Sequence, residues 1–528
     1  MKLNKNYFII FLSLTLLYLF FQVKPGTSLT GNIYSGDDNC YYGYVSSLVN
    51  DFDYDFSNNE IETYFGISKV TGRIVVKHPI GISILLLPFY ALAKPFVLLG
   101  SLFTHSPFNQ RHILFFMFMC AGIILYAYLG GFFLFKSLLR LGFEKRVSLI
   151  TVTASAWATI LPAYIFKRPI FSQIPEFFLL SLMLYLMLKY KDTAIDFKKA
   201  FILSLVMGLI LITRWNDIHI FLLFVCYLFF KKERPCFNRR ALLLFVFSLA
   251  VIFLIFILTQ GLAWKSFLGG FFKLPYNPVI ASETRSLSEL FSLRSLPIFL
   301  NIFIGRDWGL LYTMLPFFIG MLGFFYFLPW RFSRLRLIDR LIYLSVFSLP
   351  FVIVLKSGHQ GGYYGYRHLL SLLPFTCLGL AAFLEKISYS FNKRCKIIFV
   401  LLALLLVFNF LLMLPFERTK EVTTLKYTRS VMGGENWVNN SYVSNAVKYY
   451  FTSSKKTLAG LVSRNLLTHY VLGGIYLFSP TAFFKITKAY PEAMYFALDS
   501  LEKWLILLYP FLVVLMLWCA YRCCIIRE

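Results

Sequence analysis

Carboxylates are scarce in this sequence. Asp and Glu together number 25 against 52 Lys and Arg, a net charge of +27, and charged residues of either sign make up only 15% of the 528. Histidine is rarer still, at 7. With 58% of residues apolar or aromatic and a mean hydropathy of +0.68, so little charge excludes an ordinary soluble globule. The nine cysteines contain no CxxC and no paired external spacing, and Cys120, Cys226, Cys377 and Cys519 lie inside apolar runs. That pattern excludes a disulfide framework and a zinc site. No internal repeat is visible either, which argues against the inverted-repeat design of many transporters.

What the chain has in abundance is long apolar runs separated by basic connectors. In a soluble protein this excess of positive charge would point to nucleic acid. Here Lys and Arg fall between apolar runs, so they read as a topology signal, with anionic lipid head groups rather than nucleic acid as partners. A helix needs about 20 residues to cross roughly 30 Å of hydrocarbon. Candidate spans are 7–23, 79–100, 111–135, 147–166, 170–189, 199–230 (two short helices), 240–261, 309–329, 340–356, 367–384, 396–414 and 502–521. The first follows Lys2 and Lys5 like a signal sequence but lacks a clear cleavage site, so it is expected to be a retained anchor with a cytoplasmic N-terminus.

The basic connectors 136–146, 189–199, 231–240, 331–340 and 385–396 share the cytoplasmic side only if one early candidate fails to span. The segment 77–96, interrupted by Pro79, Pro88 and Pro95, is expected to be that one, bent and lying in or dipping into the outer interface. Residues 24–110 then form one long external excursion. The expected organisation is a catalytic membrane module over 1–415, an external or interfacial segment over 416–501, and a terminal helix with a cytoplasmic tail over 502–528.

Polar residues collect on the outer side of this topology. Asp37 and Asp38 stand in "SGDDNCYYGY", with Glu176, Asp217 and Asp307 behind them. The cations are Lys77, His78, Lys167, Arg168, Arg214, Arg306, His359, Arg367 and His368. The apolar arms flanking "TRWND" are about 14 residues each, roughly 20 Å as helix, so Arg214 and Asp217 are expected to turn below the surface. A carboxylate among cations that can hold phosphate suits sugar transfer from a lipid phosphate: a general base takes the proton of the attacking hydroxyl while Arg or Lys stabilises the leaving phosphate. No cofactor is required; a divalent cation is compatible with such chemistry, but no ligand spacing calls for one.

Five stretches in order, "SGDDNCYYGYVSSLVNDFDYDF" (35–56), "KHPIGISILLLPFYALAKPF" (77–96), "PIFSQIPEFFLLSL" (169–182), "ITRWND" (212–217) and "GGYYGYRHLLSLLPF" (361–375), resemble the C-superfamily (GT-C) of polytopic membrane glycosyltransferases. The likeness is to members whose first loop reads Gly-Asp-Glu-x-x-Tyr, and it covers roughly residues 1–415. It implies an all-α integral membrane protein, a GT-C-like bundle of about 12 transmembrane helices with juxtamembrane helices in a long first external loop. It also implies a polyprenyl-phosphate-linked sugar donor, a glycan or glycolipid acceptor, inversion at the anomeric carbon, and a site on the extracytoplasmic face of the plasma or inner membrane.

Carried over by position, Asp37 is the general base and Asp38 stands where many members have Glu. Lys77 and His78 match a basic element near the donor phosphate, Glu176 the place of a second acid, and Arg367 the Arg of a glycine-aromatic-Arg element. Arg168, Arg214, Asp217, Arg306, His359 and His368 complete the expected substrate-binding set. Cys40 interrupts the usual run after the acidic pair, "KHPI" replaces His-Pro-Pro, and 416–528 matches no element of the family. A transporter or flippase, or a polymerase or ligase, for lipid-linked saccharides is the alternative; the acidic pair in the first external loop favours transfer.

Overall fold

The computed structural model describes residues 37–57, 67–76, 78–104, 113–162, 164–165, 169–190, 193, 196–214, 217, 220, 239–271, 302–303, 310–326, 366–390 and 404. Within them the chain is helical, without a strand. The expected spans 7–23, 340–356 and 502–521, the basic connectors 231–238 and 331–340, and the whole of 416–501 lie outside the described residues, as do all but one residue of 396–414.

The first two helices decide where the site can be. Helix α1, Asp37–Asn50, is buried along most of its length and lies beside α2, Gly81–Thr104. Ser83 donates to the Tyr41 carbonyl (2.9 Å), Ser46 meets the Tyr90 hydroxyl (3.2 Å), and Lys94 donates to the Val49 carbonyl (3.0 Å). The paired numbers rise together, so the helices run parallel and begin at the same end. Lys94 also places a positive charge at the C-terminal end of α1, where free carbonyls accept it.

Pro88 and Pro95 lie inside α2, yet it is one continuous helix, and its stretch Gly81–Phe103 has the length and composition of a membrane span. A proline removes a backbone donor and crowds the turn before it. The neighbouring helix α3, Ile113–Arg140, is tied to this part of α2: the Tyr126 hydroxyl donates to the Leu85 carbonyl at 2.8 Å. Tyr90 stacks on Phe115 of α3, ring centroids 4.0 Å apart.

Downstream boundaries shift for similar local reasons. Helix α3 runs on to Arg140 and takes in half of the basic connector. Helix α4, Lys145–Trp157, stops well short of the expected 147–166. Thr159 bonds back to the Ser155 carbonyl at 2.8 Å, just past the end of α4. Helices α5, Gln173–Tyr190, and α6, Phe197–Thr213, lie where the apolar runs predict them. Helix α7, Arg239–Leu268, is longer than its apolar run. The run 309–329 divides into α8, Leu310–Thr313, and α9, Leu315–Tyr326. The run 367–384 opens with a 3-10 segment, Arg367–Leu372, and continues as α10, Leu373–Ser390. Pro316 and Pro374 sit in the first turns of α9 and α10, where a missing N–H costs nothing.

The packing pairs α3 with α5, α6 with α7, and α9 with α10. The last pair closes on glycine: a Cβ at Gly320, Gly323 or Gly379 would run into backbone of the facing helix, the close approach that small residues permit between membrane helices. The outward side of α7 carries Leu243, Phe247, Phe253, Leu254, Ile255 and Leu258, all exposed. Four segments, Gly81–Phe103, Leu114–Arg140, Leu243–Leu268 and Arg367–Lys386, have the length and composition of membrane spans. Apolar residues exposed in this way suit a lipid environment rather than water.

Candidate active site

Asp37 is the first residue of α1, and His78 lies three residues ahead of α2. Because the two helices are parallel, both residues arrive at the same end. Asp37 Oδ1 lies 3.0 Å from His78 Nε2, and Arg367 Nη1 donates to Asp37 Oδ2 at 3.0 Å. Each carboxylate oxygen therefore has its own basic neighbour. The three side chains are 14 to 16% exposed, enough for a ligand to reach them. Burial would raise the Asp37 carboxyl, but His78 and then Arg367, by charge and by hydrogen bond, outweigh it and hold the group well below the usual carboxylate range. The N-terminal turn of α1 adds its own favourable dipole to a negative charge there.

Two aromatic rings hold the cations in place. The Tyr41 ring is tilted against His78, centroids 5.2 Å apart, and the Arg367 guanidinium lies over Phe171 at 5.5 Å. Tyr41 occupies the Tyr position of the Gly-Asp-Glu-x-x-Tyr pattern, whereas nothing in the sequence singles out Phe171. Asp38, the residue after Asp37 in the same turn, is buried.

A second, deeper cluster adjoins the first. Arg214 follows the last residue of α6 in an extended conformation and is buried. Its Nη1 donates to Glu176 Oε2 at 2.5 Å and its Nη2 meets His368 Nδ1 at 2.8 Å. Arginine has no acceptor, so His368 Nδ1 must accept, leaving the imidazole proton on Nε2. Asp217 comes within hydrogen-bonding reach of Glu176 and is also buried. His368 is next in sequence to Arg367, so the two clusters meet at the start of the 3-10 segment. Gly81 sets their spacing: a Cβ there would stand 2.5 Å from the Ile212–Thr213 peptide. The start of α2, just after His78, thereby lies directly against the end of α6, just before Arg214. A glycine in an apolar run gives no hint of this role.

Of the expected site residues, the structure brings Asp37, His78 and Arg367 into one group and Glu176, Arg214, Asp217 and His368 into a second. Asp38, next to Asp37 in the first turn of α1, is buried. Lys77, Lys167, Arg168, Arg306, Asp307 and His359 lie outside the described residues. Among the described residues no group of three or more His, Cys, Asp or Glu is placed to hold a metal.

No family model matches the sequence, and no curated protein matches it by sequence. Solved structures of an oligosaccharyltransferase from the archaeon Archaeoglobus fulgidus are similar in outline. The apo form aligns with a TM-score of 0.40 at 12% identity, over 93% of this chain and 59% of that one. The complex of AglB with an inhibitory peptide and a dolichol-phosphate aligns with a TM-score of 0.39 at 13% identity, over 92% and 59%. The form tethered with an acceptor peptide containing the NVT sequon gives 0.39 at 12% identity, over 87% and 55%. The chain spans less than two thirds of the length of these proteins. Likeness at this level carries no argument about the chemistry of this chain, which is read from its own residues.

Proposed function

We propose that this chain is a GT-C-type membrane glycosyltransferase, moving a sugar from a polyprenyl-phosphate-linked donor onto a hydroxyl of an extracytoplasmic glycan or glycolipid. The observation that carries the reading is the Asp37 carboxylate at the shared end of two parallel helices, one oxygen against His78 and the other against Arg367. Held in this way at rest, Asp37 is a poor base. A donor phosphate is the stronger attraction for a guanidinium fork, and as Arg367 and His78 turn to it, Asp37 loses the two neighbours that depress its basicity.

The reaction then runs in one displacement. The acceptor oxygen attacks the anomeric carbon from the side opposite the phosphate, and its proton passes to Asp37. The bond from the anomeric carbon to the phosphate oxygen breaks with its electron pair on the phosphate, where Arg367 and His78 stabilise the charge. The carboxylate beside the anomeric carbon also tolerates the positive charge that develops there. The products are an inverted glycoside and the polyprenyl phosphate, and Asp37 returns its proton to solvent.

The test uses the full-length protein in detergent with a panel of polyprenyl-phosphate sugars and candidate acceptors. Wild type is expected to transfer one of them, and Asp37→Asn to do so about 10²- to 10⁴-fold more slowly, the contribution of a general base. An unchanged rate in Asp37→Asn would remove Asp37 from the mechanism.

A further inference from the structure

Helix α7 carries one side chain out of keeping with its apolar run. No charged residue and no other side-chain amide lies between Arg240 and Lys265, yet Gln260 stands there and is buried. An amide in such a place is costly unless it is hydrogen-bonded. Its Oε1 accepts the Ile80 backbone N–H at 2.8 Å, a contact across 180 positions. The Tyr44 hydroxyl of α1 also comes within hydrogen-bonding reach of Gln260. Tyr44 and Ile80 are fully buried, and they share one apolar cluster with Ala263, Trp264 and Phe267 of α7.

What Gln260 holds is the backbone that delivers His78. The Ile80 carbonyl accepts the opening bond of α2, from the Ile84 N–H at 3.1 Å, so the Ile80 N–H lies outside that helix and needs a partner from elsewhere. Gln260 supplies it. Between Ile80 and His78 stands only Pro79, whose ring holds φ at roughly −65°, so where Ile80 is held, His78 follows. One residue further on, Gly81 lies against the Ile212–Thr213 peptide at the end of α6. The turn is thus fixed from α7 and from α6 together. Tyr44 comes seven residues, or two turns, after Asp37, so it links the same amide to the side of α1 that carries Asp37.

We infer that Gln260 is a positioning residue for His78: it sets the imidazole against Asp37 at rest and keeps the backbone in place when that side chain turns to the donor phosphate. The inference rests on the lipid-phosphate reading above and adds to it the part that α7 plays. A side chain that changes partner needs a fixed pivot. With the Ile80 N–H bonded and Gly81 seated, only the side-chain torsions of His78 separate its two positions. Without the acceptor, a buried N–H is left unpaired two residues from His78, and the turn shifts to find it a partner.

The experiment makes two measurements on the full-length protein in detergent. Thermal unfolding of Asp37→Asn, His78→Gln and the double variant gives the interaction between the two side chains, as the part of the double variant's shift that the single ones do not add up to. The cycle is then repeated with Gln260→Met, an apolar side chain of similar length that has no such acceptor. The interaction is expected in the wild-type background, lost with Gln260→Met, and kept with Gln260→Glu, which leaves an acceptor oxygen in the same place. Gln260→Asn, one methylene shorter, should lose it as well and decides the matter if Gln260→Met does not fold. Binding of bare polyprenyl phosphate is the second readout. Gln260→Met should weaken it about tenfold, the worth of a hydrogen bond to a charged group, and no further once His78→Gln is present. A loss that persists in full beside His78→Gln, or an Asp37–His78 interaction unchanged by Gln260→Met, overturns the inference while the phosphate reading stands. No interaction in wild type overturns both. If bare polyprenyl phosphate does not bind, the phosphate reading falls, and the unfolding cycle still decides whether Gln260 places His78.

Discussion

At the scale of single residues, the central fact is a carboxylate with two basic neighbours. A carboxyl whose folded value lies below its unfolded one contributes stability that is fully present above the unfolded value and is lost as pH falls through the folded one. For Asp37 that window opens near pH 3.9, the ordinary aspartate value, and extends downward. Thermal unfolding should therefore show a gap between wild type and Asp37→Asn at pH 5, as about one pH unit suffices to ionise the unfolded group. The gap should close as the buffer is made more acidic. A gap that stays unchanged on acidification through about pH 4 to 2 would mean that Asp37 is not clamped.

The deeper pair predicts a larger loss. Glu176→Gln leaves a buried guanidinium without its counter-charge, which costs about 3–5 kcal/mol in comparable cases. His368→Gln exchanges one neutral partner for another, so its unfolding midpoint should fall much less. The sequence lists these acids and cations but cannot sort them into two groups. Asp37 and Arg367 are 330 positions apart, and only the packed helices reveal that Arg214 faces Glu176 while Arg367 faces Asp37.

At the scale of elements, apolar periodicity and length located α3, α5, α6 and α7 to within a few residues at most ends, because burial on all sides needs only a long apolar run. The continuity of α2 was less legible. Its prolines read as breaks because each costs a backbone hydrogen bond, yet the helix runs through both and is tied to α3 by the Tyr126 hydroxyl on the Leu85 carbonyl, a contact 41 positions away that no local pattern reports. Tyr126→Phe should accordingly lower stability by about 1 kcal/mol, the ordinary worth of one hydrogen bond. Gly81→Ala should do more, about 1–3 kcal/mol for overpacking, because the added methyl meets a peptide rather than a movable side chain. It should also slow sugar transfer, since the same contact spaces His78 from Arg214. Equal activity and unfolding midpoint in Gly81→Ala would show that α2 and α6 can part without consequence.

At the scale of the whole molecule, the apolar outer side of α7 suits lipid, and the basic connectors, with α2 lying in the outer interface, propose which end faces the cytoplasm. Ser57 lies beyond α1 and Glu144 in the connector between α3 and α4, both exposed. With a membrane-impermeant maleimide on intact cells, Ser57→Cys should be labelled, and Glu144→Cys only after permeabilisation. Labelling of both from outside would reverse the proposed topology. The three described native cysteines, Cys40, Cys120 and Cys377, are buried, and the unaltered chain serves as the blank.

The long reach between Asp37 and Arg367 also bears on how the protein is made. Synthesis proceeds N-terminus first at about 5–20 residues per second, so Asp37 exists for roughly 15 to 65 seconds before Arg367 is added. His78 follows it by only 41 positions. During that interval His78 is the one member of the finished clamp already present, and the acid that the completed protein shares between two neighbours is first looked after by one.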